Sequence, residues 1–538
     1  MRIAHKWAQG WKAFSVTWLD FVIPLILVAS TVGTVARKFD LTDWDEAAYF
    51  HYGYSLQTTP DAAAWSPSYS WLYSAGRLVS GDVIQAAFIG RLAGCLVFVL
   101  GVWLAARLVS DPVRGLLVAG PLPWISTWII WTGVSSFCAG LLALSVAIAY
   151  RWRHPWGFAV AALLAWLAAI ARAEFQPVAV FCTVVVVWRI LRLAPRRSPS
   201  LLQITPVALS MGIPLLVWSQ YAPPVTTAST GRLWLAFGQH HALQRVGNSG
   251  LDPWDKWAVF TRADFGDSTS IVQAALVNPA AMLGHVSFNM WHTPWKLVAS
   301  ILDRSAITSW IAFAVLVAEV LIVFAFLAQR RVTLLKRENF VSGKFVWMGI
   351  AGLSVIMVGV DVLVIYPEEH YFAPLVGVGF VLLAIGLRSI EKYGNTFWVQ
   401  GLIFTCVASL AFAGLGAIGS VGAAWSSPRP YVSAVRLLNT CPASTRIYAT
   451  DYGPVVYAPA LVLVSPKPAA KDGPSAFLRK ERIDVIYLTP PLTSRWPKEY
   501  WTNFAAQPSK YGFRQIPYQG AKQFARESSF YVSESAGC

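Results

Sequence analysis

The chain has 538 residues, of which 56% are hydrophobic and 13% are charged, and its mean hydropathy is +0.51. A soluble protein of this length does not carry so large an apolar fraction, so the composition predicts a multi-pass membrane protein in a lipid bilayer. The net charge of +16 would suit a nucleic-acid partner, but the basic residues are dispersed and form no basic-aromatic stripe, which argues against nucleic-acid binding.

About eleven apolar windows are long enough to be membrane-spanning helices. The first begins well into the chain and is long, which predicts an uncleaved anchor rather than a signal peptide. An odd number of spans places the two termini on opposite sides. The windows cover residues 18–36, 83–109, 115–131, 134–150, 156–171, 175–193, 202–220, 306–328, 345–366, 371–387 and 396–419.

The distribution of Lys and Arg predicts the orientation. Six basic groups fall at connections on one side, whereas the short connections on the other side carry only Arg172. The positive-inside rule then places the N-terminus in the cytoplasm, and puts outside the first loop (residues 37–82), the middle loop (221–305) and the tail (421–538). Residues 1–420 are the predicted transmembrane domain. The inner groups lie at residues 2–12, 107–114, 151–153, 189–197, 330–344 and 388–392.

The tail differs in composition from the rest and is predicted to be a small α/β domain. Residues 444–450 and 483–489 have strand patterns, and helical patterns precede them at 431–439 and 474–481. Cys441 and Cys538 lie in this external region, where a disulfide can form; the sequence does not give their separation, so the pairing stays open.

The middle loop is predicted to lie at the membrane interface. Residues 278–285 and 287–299 have the pattern of two short interfacial helices, with Trp291 and Trp295 as anchors. Adjacent histidines point apart in regular structure and no carboxylate follows at a ligand-like spacing, so residues 239–241 are interpreted as interfacial loop rather than as a metal site.

Three carboxylates, Asp43, Asp45 and Glu46, follow the first span. Carboxylates beside a spanning helix are costly if they face lipid, so they indicate chemistry at the membrane surface. The alternative is a plain structural role at a helix end, where acidic residues are favoured.

These residues and three further motifs resemble the membrane glycosyltransferases of the GT-C fold, especially the protein O-mannosyltransferase and lipid A aminoarabinose transferase group. Asp45-Glu46 with Ala-Ala-Tyr49 resembles the acidic pair of the first outer loop, and residues 90–94 resemble an arginine helix rich in small residues. Residues 171–174 resemble an Arg-x-Glu turn, and residues 370–374 the start of a later helix. The second outer loop (132–137) lacks the acidic residue that many relatives have, which leaves a metal site open.

The resemblance implies a polyprenyl-phosphate sugar donor, which also suits an outward-facing enzyme because nucleotide sugars are normally absent outside the cytoplasm. Asp45 is the predicted base for the acceptor hydroxyl, and Asp43 and Glu46 are predicted orienting groups or ligands of a divalent metal. A single displacement would invert the anomeric centre. The acceptor, a glycan, a lipid or a protein, and the sugar stay undetermined.

The predicted substrate-binding residues are Arg91, Arg172, Glu174, Glu369, His370 and Tyr371. Arg172 suits two-point phosphate binding, with an internal ion pair to Glu174 as the alternative. Arg91 lies within an apolar span, and pairing with a first-loop carboxylate competes with substrate contact. Leaving-group or metal contact and an ordinary polar helix end are equally open for the last group, which comprises Glu368, Glu369, His370 and Tyr371.

The sequence thus predicts a GT-C glycosyltransferase in a bacterial inner membrane. The first rival is a transporter or lipid-linked sugar flippase, which would have charges in mid-membrane and broken helices in paired halves; Asp361 is the main charge of that kind. A catalytically inactive scaffold that binds partners through its tail is the second rival. Oligomeric state is not predicted.

Overall fold

The computed structural model describes residues 17–41, 45–55, 65–120, 122–124, 133–152, 155–193, 227–247, 253–254, 256–301, 346–393, 429–449, 453–464, 474–489, 492, 498–516 and 529–538, with isolated positions between 205 and 216. The predicted windows at 306–328 and 396–419, most of the window at 202–220, part of the window at 115–131, and Asp43 lie outside the described residues.

Helices make up most of the described chain. Short 3₁₀ turns at Ala173–Phe175 and Glu369–Phe372 and a π-helical turn at Asp361–Ile365 interrupt them. The membrane portion contains α1 (Leu19–Lys38), α2 (Asp45–Tyr54), α3 (Pro67–Val79), α4 (Val83–Val109), α5 (Pro112–Ala119), α6 (Gly133–Arg151), α7 (Pro155–Ala171), α8 (Gln176–Leu193), α9 (Thr227–Arg245), α10 (Trp257–Phe265), α11 (Ile271–Val277), α12 (Pro279–Ile301), α13 (Val346–Val360) and α14 (Ala373–Tyr393).

Six helices among the described residues are long and apolar enough to cross a membrane. A seventh span results if α11 and α12, which meet at 119°, form one broken crossing, and α7 is a shorter apolar helix. The six spans include all or part of α1, α4, α6, α8, α13 and α14. The chain is therefore a multi-pass helical membrane protein.

Helix α6 lies at the centre of the bundle, and 89% of its apolar window is buried. It crosses α4 closely, because a Cβ atom added to Gly140 would lie 2.3 Å from the carbonyl oxygen of Val97. Small residues that bring backbones together are the usual means of packing helices in lipid, where the hydrophobic effect does not drive helix association.

Arg107 and Arg388, which the charge pattern places on the same side of the membrane, lie at the same end of the bundle. Arg107, near the end of α4, donates from Nε to Asp20 Oδ1 at 2.5 Å, at the start of α1. Arg388, near the end of α14, donates to the carbonyl oxygen of Val109 at 2.8 Å. Three spans therefore meet at this end, while α2 and α3 lie at the opposite end of α1 and α4.

The tail contains five strands, β1 (Arg446–Tyr448), β2 (Val462–Val464), β3 (Val485–Leu488), β4 (Phe513–Ile516) and β5 (Ser529–Ser533). They form a mixed sheet of order β2-β1-β3-β5-β4. Strand β1 is parallel to both β2 and β3, and β5 is antiparallel to β3 and β4. Strands are present within both predicted segments, and helices overlap both helical patterns. The helices of the tail are α15 (Pro430–Leu438), α16 (Gly453–Tyr457), α17 (Pro474–Lys480) and α18 (Lys498–Ala506).

Cys441 and Cys538 form a disulfide with their Cα atoms 4.4 Å apart, so the pairing that the sequence leaves open is present. It joins the end of α15 to the chain that follows β5.

The middle loop corrects two expectations. The patterns at 278–285 and 287–299 do not form two helices; residues 279–285 and 287–299 belong to the single helix α12, which continues through Val286 and includes Pro294. Asn278 caps its start by accepting from the amide of Ala281 at 3.1 Å. The interfacial-loop interpretation of residues 239–241 is also wrong, because they lie in α9 and both histidines are buried.

Candidate active site

Asp45 and Glu46, adjacent at the start of α2, have opposite environments. Successive residues of a helix point about 100° apart, so one carboxylate can face outward while the next faces the core. The Asp45 side chain is 49% exposed and accepts from Arg232 Nη2 at 3.0 Å. Glu46 is 6% exposed. The pair therefore divides into an accessible carboxylate and a buried one.

Glu46 is held by hydrogen bonds from three donors, two on α3 and one at the start of α6. Tyr69 donates to Oε1 at 2.6 Å, Tyr73 donates to the same oxygen, and the amide of Gly133 donates to Oε2 at 3.3 Å. Burial and the adjacent Glu46 charge hold the pKa of both phenols well above the usual range, so both remain donors. Arg91 is buried nearby, and its charge attracts that of Glu46.

Glycines on α4 make room for these tyrosines. A Cβ atom on Gly90 would lie 2.3 Å from the ring of Tyr73, and one on Gly94 would lie 2.8 Å from the ring of Tyr69. The two glycines are four residues apart on α4, and the two tyrosines are four residues apart on α3. Each glycine therefore faces one tyrosine across the contact between the two helices. The pattern of an arginine and small residues at 90–94 thus lets the two tyrosines that bind Glu46 pack against α4, and it places Arg91 beside Glu46.

Arg232, from α9, holds Asp45 in place. Its Nη2 also donates to the Tyr49 hydroxyl at 3.1 Å, and its guanidinium lies 4.0 Å from the centroid of the Trp65 ring. No sequence motif indicates Arg232. A basic residue in an outer loop is a weak signal, since the same loop carries Arg245, Lys256, Arg262 and Lys296.

Arg172 forms a second centre between the spans. Its Nε donates to Glu174, Nη1 donates to Ser135 Oγ at 2.6 Å, and Nη2 donates to Asp361 Oδ2 at 3.3 Å. Burial opposes the charge, but Glu174 and Asp361 outweigh it and raise the pKa of the guanidinium. The internal ion pair that the sequence leaves open is therefore present, and it includes Asp361, in the turn at the end of its span.

The two centres lie side by side. The charges of Arg232, Asp45 and Arg172 all act on Tyr49, and the Arg172 guanidinium lies 4.7 Å from the Tyr371 ring centroid. The acidic pair, the Arg-x-Glu turn and the segment at 369–371 are thus brought to one end of the bundle, as the charge-derived topology predicts.

Residues of the middle loop complete this end. Lys296 Nζ lies 3.6 Å from Glu369 Oε1, and His240 stacks on Tyr366 with ring centroids 4.8 Å apart. Burial raises the pKa of Glu368 and lowers the pKa of His240 to about 3, so His240 is neutral. No sequence motif indicates Lys296, and the sequence interpretation places His240 in an interfacial loop.

The described residues do not fit a divalent metal. They include no group of three His, Cys, Asp or Glu side chains that could hold an ion. Glu46 already accepts from three donors, and Asp45 pairs with Arg232. Asp43 lies outside the described residues.

The fold and site define a helical membrane protein with an accessible carboxylate and several cations at one end. No protein-family model and no curated protein matches the sequence. Similar solved structures include ArnT from Cupriavidus metallidurans bound to undecaprenyl phosphate, with 13% identity over 97% of this chain and 99% of that chain and a TM-score of 0.48.

The archaeal oligosaccharyltransferase AglB of Archaeoglobus fulgidus is also similar, with 12% identity over 87% of this chain and 69% of that chain and a TM-score of 0.41. Both are enzymes of the GT-C fold, the class that the motifs resemble. Because both TM-scores lie below 0.5, the functional proposal rests on the site itself.

Proposed function

We propose that the protein is an integral membrane glycosyltransferase of the GT-C fold. In this proposal it moves a sugar from a polyprenyl-phosphate donor to a glycan, lipid or protein acceptor at the outer face of a bacterial inner membrane. The observation that carries the proposal is the half-exposed Asp45 carboxylate, oriented by Arg232 at the end of the bundle where Lys296 and Arg172 also lie.

The site has the two chemical elements that sugar transfer from a phosphate needs. Asp45 takes the proton of the acceptor hydroxyl as that oxygen bonds to the anomeric carbon. The bond from that carbon to the phosphate oxygen breaks at the same time, and nearby cations stabilise the charge that the phosphate gains. One displacement inverts the anomeric centre.

Accessibility ranks the cations for phosphate contact. The side chains of Arg232 and Lys296 are 28% and 26% exposed, whereas that of Arg172 is 15% exposed. The Arg172 guanidinium also donates hydrogen bonds to three protein groups already. We assign the phosphate contact to Arg232 and Lys296. Arg172 keeps the predicted substrate role only if it exchanges one of these partners for phosphate.

The remaining assignments follow the charge pattern. The end that carries Asp45 faces outward, and the end that joins Asp20, Arg107 and Arg388 faces the cytoplasm. The tail, which forms its own sheet, then lies on the catalytic side. A transporter is not favoured by the described residues, because Asp361 lies in the turn at the end of its span and pairs with Arg172.

The test uses the protein in nanodiscs. Lipids that co-purify are identified by mass spectrometry, and release of polyprenyl phosphate from the identified donor is measured with and without candidate acceptors. We expect a polyprenyl-phosphate sugar and acceptor-dependent release. Flux of the intact lipid-linked sugar across proteoliposomes, without sugar transfer, would establish the flippase instead.

A further inference from the structure

The tail is joined to the membrane portion by an exchange of hydrogen bonds between two helix ends. Asp40, just after α1, accepts from the backbone amides of Val432 at 2.9 Å and Tyr431 at 3.1 Å, in the first turn of α15. In the other direction, Arg429 Nη2 donates to the carbonyl oxygen of Ala36, in the last turn of α1, at 2.7 Å.

The residue that follows α1 thus accepts from backbone amides of α15, and the residue that precedes α15 donates to a backbone carbonyl of α1. The first amides and the last carbonyls of an α-helix have no partner within the helix, and an Asp carboxylate at an N-terminus also meets the favourable end of the helix dipole. Tyr431 and Val432 are buried, so their amides have little access to water. Burial raises the pKa of Asp40, while its backbone donors oppose that rise.

The contact continues onto the helix that begins with Asp45. The ring of Tyr457, at the end of α16, lies 5.2 Å from the ring of Phe50 on α2. Tyr457 also lines a cleft together with Asp40, Glu46, Tyr73 and Arg91. One wall of the cleft therefore belongs to the tail, and another to the network that holds the acidic pair.

We infer that Asp40 is a positioning residue: by capping α15 it fixes the tail against α2, and so sets the placement of Asp45 and the approach of the acceptor. This inference rests on the proposed transfer reaction. Asp40 does not touch the reacting atoms, and it acts through the tail.

The chain offers a matched control. Asp82 caps α4 by accepting from the amide of Gln85 at 2.7 Å, within a single exposed segment. Asp40→Ala and Asp82→Ala both remove an N-cap, but only the first releases a contact between the tail and the membrane portion. Loss of a cap shifts a helix equilibrium about 5- to 30-fold.

The first measurement is hydrogen exchange of the full-length protein, which is independent of activity. We expect Asp40→Ala to speed exchange of the Tyr431 and Val432 amides about 5- to 30-fold and Asp82→Ala to leave it unchanged. Asp40→Asn, which keeps one acceptor oxygen, should give an intermediate value, and it also serves if Asp40→Ala does not fold.

The second measurement is transfer kinetics. We expect Asp40→Ala to raise KM for the acceptor by about the factor seen in exchange, to leave donor-lipid binding unchanged, and to be partly rescued in Asp40→Asn. Normal acceptor kinetics with faster exchange, or unchanged exchange, would overturn the inference. If the unaltered protein transfers no sugar, the proposed function fails, and the positioning role with it, while exchange still reports whether the cap holds the tail.

Discussion

Replacing Asp45 by Asn separates catalysis from folding at the acidic pair. The amide has nearly the shape of the carboxylate and cannot accept the acceptor's proton. A positioned general base contributes about 10²- to 10⁴-fold in rate, which equals about 2.7–5.5 kcal/mol of barrier. The Arg232 contact is half exposed, and such ion pairs contribute about 0–1 kcal/mol to stability. We therefore expect a large loss of kcat with little change in melting temperature.

Glu46→Gln is the internal contrast. The two phenols bond to Oε1 and the Gly133 amide bonds to Oε2, so the amide nitrogen of Gln would oppose a donor whichever way it turned. An unsatisfied buried group costs about 1–3 kcal/mol. We expect Glu46→Gln to melt earlier than the unaltered protein, whereas Asp45→Asn does not.

The assay follows release of polyprenyl phosphate in nanodiscs, with donor binding and thermal melting measured on the same samples. Asp267→Asn controls for loss of an exposed carboxylate in the middle loop, where Asp267 pairs with Arg262. Near-normal turnover in Asp45→Asn would refute Asp45 as the base. A loss of donor binding equal to the loss of turnover would show that the substitution disturbs the site rather than the proton transfer.

Three further predictions address the ion-pair centre, acid stability and topology. Arg172→Lys keeps the charge but loses the planar guanidinium that joins Glu174, Ser135 and Asp361, so we expect a lower melting temperature. If phosphate also contacts Arg172, use of the donor falls more than use of the acceptor. An equal fall in the use of both substrates would support a purely structural role. Burial lowers the pKa of His240 from 6.5 to about 3, so below pH 6.5 the unfolded chain binds a proton that the folded chain does not. This residue then lowers the free energy of unfolding by about 1.4 kcal/mol for each pH unit of acidification. Melting temperature should fall less steeply with acidification in His240→Gln, and an unchanged dependence on pH would contradict the buried neutral state of His240. Reporter fusions after Arg197 and Lys344 should be cytoplasmic and those after Asp45, Gly250 and Ser426 external; an external reporter at Arg197 would reverse the orientation.

Local pattern was sufficient to find much of the bundle and the start of the site. The windows at 18–36, 83–109 and 134–150 correspond closely to α1, α4 and α6, because a span needs a long apolar run that few other segments have. The acidic pair was found for a related reason: a carboxylate beside a span is costly, so it stands out.

Pattern was not sufficient where a residue's role depends on a distant partner. Arg232 and Lys296 look like ordinary basic residues of a polar loop, and only the fold brings them to Asp45 and Glu369. His240 and His241 were misassigned to a loop, since their neighbours along α9 do not reveal that Tyr366 and Asp264 pack against them.

The sequence by itself determined that this chain crosses the membrane repeatedly, because burial of apolar side chains in lipid depends on composition and run length alone. It also marked Asp45 and Glu46 as a pair. Only the tertiary structure decided that the two differ, one accessible beside Arg232 and the other enclosed by Tyr69 and Tyr73. Helical geometry points neighbouring side chains in different directions, and what each one meets is set by segments far away in the chain.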